Sequence, residues 1–180
     1  LLYEFKADLN AFLARLPPGP GPRTLKDLID FNEKNRDREM PYFGQEIFVM
    51  AEKKGPLTEK AYRDALEKDE KLARKNGIDK TMDKHKLDAL VAPTSGPATL
   101  IDLVNGDYGP GGSSTIPAVA GYPHITLPAG QDFGLPVGLS IFGRAWSEPT
   151  LIRIAYAYEQ ATKHRRPPRF LSTADLSTPG

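Results

Sequence analysis

Val137-Gly138-Leu139-Ser140-Ile141-Phe142 restricts the fold more than any other stretch of the sequence. It is apolar at nearly every position, so a strand made from it has no water-facing side. Such strands sit inside sheets that are covered on both faces. Two other short runs share this character: Leu87-Asp88-Ala89-Leu90-Val91-Ala92-Pro93, closed by a proline, and His124–Pro128. Gly134-Leu135-Pro136 is expected in the turn between the last two strands. Three strands of this kind are not a self-sufficient sheet, because apolar faces and unpaired edges would stay exposed. More sheet is therefore expected from a segment outside these residues or from a partner chain. The chain starts Leu1-Leu2-Tyr3 rather than at a methionine, and excision from a longer chain is the expectation.

The first 86 residues read as helices of the same domain. Leu2, Phe5, Leu9, Phe12, Leu13 and Leu16 recur at spacings of three and four, which predicts an amphipathic helix over 1–16. The run Pro17-Pro18-Gly19-Pro20-Gly21-Pro22 stops it. Thr24 caps the next helix, with Asp27 near its positive end and Leu25, Leu28, Ile29 and Asn32 on its buried face. Met40-Pro41-Tyr42-Phe43-Gly44 breaks the chain before a short helix through Glu46–Lys53. The longest helix is expected to start at Thr58 as cap, with Ala61, Ala65, Leu66, Leu72 and Ala73 on one face. At Gly77 it either ends or is only interrupted, since Ile78 and Met82 continue the pattern toward His85.

Residues 87–170 form the strand, loop and helix segment. Residues 93–123 are rich in Gly, Pro, Ser and Thr and read as mostly irregular. A last helix is expected from Glu148 to Lys163, with Leu151, Ile152, Ile154, Ala155, Tyr158 and Thr162 facing inward. Lys163-His164-Arg165-Arg166 sits at its negative end and Pro167-Pro168 stops it. Residues 171–180 read as a loose tail.

Composition narrows the function classes. The formal net charge is +1, which argues against strong attraction to nucleic acid or an anionic membrane. The chain has no cysteine, so neither disulfides nor thiolate metal sites can form. No apolar run approaches the roughly 20 residues of a membrane span. The compartment stays open.

The residues that could carry chemistry are few. Gly109-Pro110-Gly111-Gly112-Ser113-Ser114-Thr115 could direct backbone amides at an oxyanion, and either serine could be a nucleophile beside a base. No activating group accompanies them, and the run is neither a nucleophile elbow nor a phosphate loop. His85, His124 and His164 have no mutual metal-ligand spacing, so surface or cap roles are expected, with no metal and no cofactor. Asp102 and Asp107 flank the glycine-rich loop, where turn capping outweighs an acid–base pair. The basic cluster Lys163–Arg169 is expected to serve the helix end. The irregular segment after the first strand is the best pocket candidate, since ligands gather beyond strand ends in open α/β sheets.

Ordered motifs then give the chain a family character. Leu87–Thr94, Ala120-Gly121-Tyr122-Pro123-His124-Ile125-Thr126-Leu127-Pro128-Ala129-Gly130 and Gly134-Leu135-Pro136-Val137-Gly138-Leu139-Ser140-Ile141-Phe142-Gly143-Arg144 follow one another. Glu148 and Ala155-Tyr156-Ala157-Tyr158-Glu159 complete the series. Together they resemble the C-terminal third of amidase-signature enzymes, in particular the peptide-amidase-like branch. Tyr3-Glu4-Phe5-Lys6, Thr24–Asn32 and Pro41–Glu46 agree with that branch.

The resemblance implies part of a single α/β domain, with a mixed sheet covered by helices on both faces and its N-terminal part missing. It also implies amide hydrolysis by a Ser–cis-Ser–Lys triad. Gly111-Gly112-Ser113-Ser114 continues into Thr115-Ile116-Pro117 rather than into glycines, so it is not the family's signature, and no catalytic residue transfers. The family's pocket loop carries over to Ser113, Ser114 and Thr115, and also to Thr94, Ser95 and Asp102. Thr99 stands where relatives often have tryptophan, which implies a different pocket. The expected partners are a small-molecule or peptide amide, the N-terminal part of the same amidase, and another copy of the chain. Two other readings are a non-catalytic scaffold protein of the same fold and an independent serine hydrolase using Ser113 or Ser114.

Overall fold

The computed structural model describes residues 1–106, 108–109, 111–168 and 170. The expectations for Asp107, Arg169 and the 171–180 tail lie outside the described residues. The chain clusters into two compact units, Leu1–Leu66 and the residues from Glu67 onward.

The first unit is helical, with α1 (Leu2–Ala14), α2 (Leu25–Lys34), α3 (Arg36–Glu39), α4 (Glu46–Glu52) and the start of α5 (Lys60–Glu70). Thr24 caps α2 as expected. Its side chain accepts from the Asp27 amide, and the Asp27 carboxylate accepts from the Thr24 amide, so two free donors are satisfied reciprocally. Asn10 on α1 adds a third contact by accepting from the Leu25 amide at 2.7 Å. Lys6 donates to the carbonyls of Glu52 and Lys54 at the C-terminal end of α4, where a cation is favoured. Two expectations fail here. Phe12 of α1 and Leu16 just beyond it are exposed, while Leu13 is buried. Helix α5 begins at Lys60 rather than just after Thr58, because the Glu59 carbonyl accepts its first helical bond. Of the residues expected along one face, Ala61, Ala65, Leu66 and Leu72 are exposed. Tyr62 of α5 is held instead by its phenol, which donates to Glu4 at 3.0 Å.

In the second unit the helix does not end at Gly77. It continues through a π-helical stretch, Lys71–Ile78, into α6 (Asp79–His85). A Cβ at Gly77 would lie 2.5 Å from the Leu72 carbonyl oxygen, five residues back. The wide π turn therefore depends on a residue without a side chain. Strand β1 (Leu90–Pro93) follows, then α7 (Thr115–Ala120), β2 (His124–Asp132), β3 (Leu135–Phe142) and α8 (Glu148–Thr162). Helix α7 is one short helix within 93–123, the stretch expected to be mostly irregular. Pro117 falls in its first turn, where the missing N–H has no helical partner to lose, and Gly121 closes it at φ 64°. The hairpin also differs from expectation. Phe133 and Gly134 make the turn, both at positive φ, while Leu135 and Pro136 belong to β3.

The sheet has three strands in the order β1-β3-β2, each antiparallel to its neighbour. The expected central strand is central. β1 pairs only with Leu139–Phe142 of β3, so Pro136 lies where one side of β3 has no ladder to break. The register sets two faces. Ile125, Leu127, Leu139 and Ile141 share one, and Leu127 and Ile141 pack there on Leu151 and Ala155 of α8. Ile152 was expected inward but is exposed, since it lies off the Leu151–Ala155 stripe. Leu90, Ala92, His124, Thr126, Ser140 and Phe142 share the other face. Phe142 packs there with Ile78, Met82 and Ala120. Helices thus cover both faces of a small antiparallel sheet in an α/β fold.

Candidate functional site

The second face changes character along the strands. Its Phe142 end is apolar, and its other end carries hydroxyls. Thr94, just past β1, extends the pairing because its amide donates to the Gly138 carbonyl at 2.8 Å. Beyond it Ser95 bridges to Gly112, and the Ser113 amide donates to the Thr94 carbonyl at 3.2 Å. Backbone contacts therefore tie the glycine-rich loop to the end of β1, which sequence spacing could not reveal.

A cavity of ≈ 440 Å³ lies against this seam, lined by Ala92, Pro93, Ser95, Gly112, Ser113, Ile116 and Phe142 among others. Two of the expected pocket residues, Ser95 and Ser113, line it. The Ser113 hydroxyl is buried and has no hydrogen-bond partner among the described residues. A buried hydroxyl without a partner is unfavourable unless a ligand or water completes it. Nothing among the described residues activates Ser113 as a nucleophile, because a general base would have to hydrogen-bond that oxygen.

The other four candidates fall elsewhere. Thr94 is next to the seam, but its side chain turns into the sheet face. Ser114 precedes α7 without a side-chain cap, and Ser114 and Thr115 are both exposed. Asp102 caps its own turn, accepting from the amides of Val104 and Asn105 and from the Asn105 side chain. The Asn105 backbone bond, followed by its side-chain bond, holds the Asp102 carboxyl below the usual carboxylate range. Thr99 donates a long 3.4 Å bond to the Tyr108 carbonyl.

One group was missed. His124 was expected on the surface or at a cap. It is half-buried, and its Nε2 lies 2.7 Å from Ser140 Oγ. Ser140 is fully buried and lies 2.9 Å from Thr94 Oγ1, which is 2.5 Å from Thr126 Oγ1. Thr126 donates to the Leu139 carbonyl at 3.4 Å. The signal available in the sequence was the spacing of two between His124 and Thr126, the period that puts both side chains on one face.

The Ala120-Gly121-Tyr122-Pro123 stretch is fixed from behind. Arg74 donates to the Ala120 carbonyl at 2.6 Å, and the Tyr122 phenol donates to Asp79 at 2.9 Å. Burial, then the Asp79 carboxylate, raises the Tyr122 phenol above its ordinary value. Among the described residues no cluster of three or more His, Cys, Asp or Glu side chains could hold a metal ion, and no helix is long and apolar enough to cross a membrane.

The description of the Amidase family matches residues 1–152. The chain belongs to the amidase family. It is 42% identical to a probable amidase of Arabidopsis thaliana, over 96% of the chain and 30% of that protein. It is 33% identical to a putative amidase of Arthroderma benhamiae, over 89% of the chain and 27% of that protein. Among solved structures, the native peptide amidase of Stenotrophomonas maltophilia superimposes with a TM-score of 0.84 at 48% identity, covering 96% of this chain and 34% of that one. A peptide amidase bound to the competitive inhibitor chymostatin gives 0.87 at 50% identity, covering 94% of this chain and 34% of that one. The chain therefore spans about a third of the length of the relatives it matches.

Proposed function

We propose that these residues are the pocket-lining part of an amide hydrolase acting on a small-molecule or peptide amide. The Ser–cis-Ser–Lys chemistry comes from a part of the amidase fold outside these 180 residues. The observation that carries the proposal is Ser113. Its hydroxyl is buried at a cavity wall and unpartnered among the described residues, with no base to activate it. A hydroxyl so placed suits recognition, because a carboxamide offers it both a carbonyl acceptor and N–H donors. The peptide amidases that resemble this chain at about half identity support the substrate class.

The test has two arms. The 180-residue chain by itself should neither hydrolyse a peptide amide nor react with a fluorophosphonate. In a polypeptide that carries the whole amidase fold, Ser113→Leu should raise KM and shift substrate preference more than it lowers kcat. Labelling of the 180-residue chain that Ser113→Ala or Ser114→Ala abolishes would establish an independent serine hydrolase instead. A whole-fold polypeptide that binds amides but never turns them over would establish a scaffold protein.

A further inference from the structure

A chain of contacts runs from His124 through Ser140 and Thr94 to the pocket loop. We infer that His124 is a positioning residue that donates to Ser140 and, through Thr94, holds the Gly111–Ser113 wall of the cavity in place. The inference rests on the pocket reading above. His124 Nε2 lies 2.7 Å from Ser140 Oγ, Ser140 Oγ lies 2.9 Å from Thr94 Oγ1, and Thr94 Oγ1 lies 2.5 Å from Thr126 Oγ1, so each link has hydrogen-bond length. Thr126 also faces the Leu139 carbonyl, which can only accept, at 3.4 Å. A hydrogen on Nε2 would run the chain from the imidazole through Ser140 and Thr94 to that carbonyl.

The consequence falls on Thr94. Its hydroxyl is held by Ser140 and Thr126, and its amide by the Gly138 carbonyl. Its remaining backbone group, the carbonyl, accepts the Ser113 amide. The loop therefore hangs from a residue fixed on its other sides, and the fixing runs back to an imidazole on the far strand. Phe142, edge-on to the His124 ring with centroids 6.0 Å apart, also lines the cavity. His124 is thus coupled to the cavity wall by the hydroxyl chain and by ring packing. The chemistry assigned to it is orientation of the wall.

The experiment uses the polypeptide carrying the whole amidase fold, with a dipeptide amide as substrate. His124→Phe keeps a ring against Phe142 but removes the donor, so KM should rise about fivefold with kcat within about twofold. His124→Gln restores an amide donor toward Ser140, and its KM should stay within about twofold of the unsubstituted protein. If His124→Phe fails to fold, Ser140→Ala cuts the same chain one link on, and the same rise in KM is expected. An imidazole ¹⁵N spectrum should show hydrogen on Nε2. The inference is overturned if His124→Gln raises KM as much as His124→Phe, since ring packing would then explain both. It is also overturned if kcat falls while KM holds, or if Nε2 is bare. Should His124→Phe and Ser140→Ala change nothing while Ser113→Leu raises KM, this inference fails and the pocket reading stands. Should Ser113→Leu also change nothing, the pocket reading falls with it.

Discussion

Gly138 on β3 is a glycine because of Thr94. A Cβ at position 138 would sit 2.6 Å from the Thr94 hydroxyl oxygen and 2.9 Å from its Cβ. It would also come within 3.1 Å of Thr126 Oγ1. The hydroxyl chain across the sheet fits only over a bare backbone. Gly138→Ala should destabilise the fold by about 1–3 kcal/mol, as overpacking of a tight site does. The midpoint of thermal unfolding measures this, and an unchanged midpoint would show that Thr94 can move at no cost.

Gly77→Ala sets two principles against each other. Alanine is the better helix former by about 1 kcal/mol, which predicts stabilisation. The Leu72 carbonyl, 2.5 Å from the added methyl, predicts the opposite. The steric term should win, because the acceptor is backbone and cannot swing away. Denaturant unfolding of the two proteins decides it: a gain in stability on substitution would mean that the π turn relaxes to an ordinary α-helix.

Tyr122→Phe should flatten the alkaline limb of stability. The Tyr122 phenol is raised above its ordinary value of 10.0, first by burial and then by the Asp79 carboxylate it bonds. The folded state thus favours the neutral phenol. That contribution is complete below the unfolded-state value and is lost as pH rises through the higher folded value. Unfolding midpoints followed from about pH 8 to 12 should fall less steeply for the phenylalanine variant. Identical slopes would remove Tyr122 from the account.

The 180 residues by themselves should associate or bind an apolar dye. Val91 of β1 is 63% exposed, and β1 and β2 each pair with β3 alone among the described residues. Leu100, Ile101, Leu103 and Val104 are also well exposed on the loop beyond β1. Burying each such side chain stabilises by roughly 1.5–3 kcal/mol, against about 5–15 kcal/mol for a whole domain. Sedimentation with a fluorescent dye is the check. A monomer that unfolds cooperatively and leaves the dye dark would show that the sheet needs no further cover.

Much was legible because it depends on local rules. Thr24 with Asp27 three residues on is a capping box in sequence and in space. Val137–Phe142 lacks a polar face, and it is the strand with a neighbour on each side. The helix ending at Thr162 stops where basic residues and two prolines predict, and Arg166 donates to the Lys163 carbonyl there. The amidase motifs identified the family for a further reason. They are ordered short strings, which survive in a linear reading.

Contacts between distant segments were not legible. Ser113 reaches Thr94 only because the loop folds back onto the end of β1, and His124 reaches Ser140 only because the antiparallel register brings β2 and β3 side by side. The same holds for the failures. Leu66 and Leu72 have helical spacing, yet burial needs a neighbour to pack against, and spacing cannot supply one. The amino-acid sequence by itself determined most of the helices, the Thr24 cap, the central strand and the family, since each follows from residues close along the chain. Only the tertiary structure decided which hydroxyls meet, which glycine must stay bare and which serine lines the cavity, because hydrogen bonding and exclusion act through space.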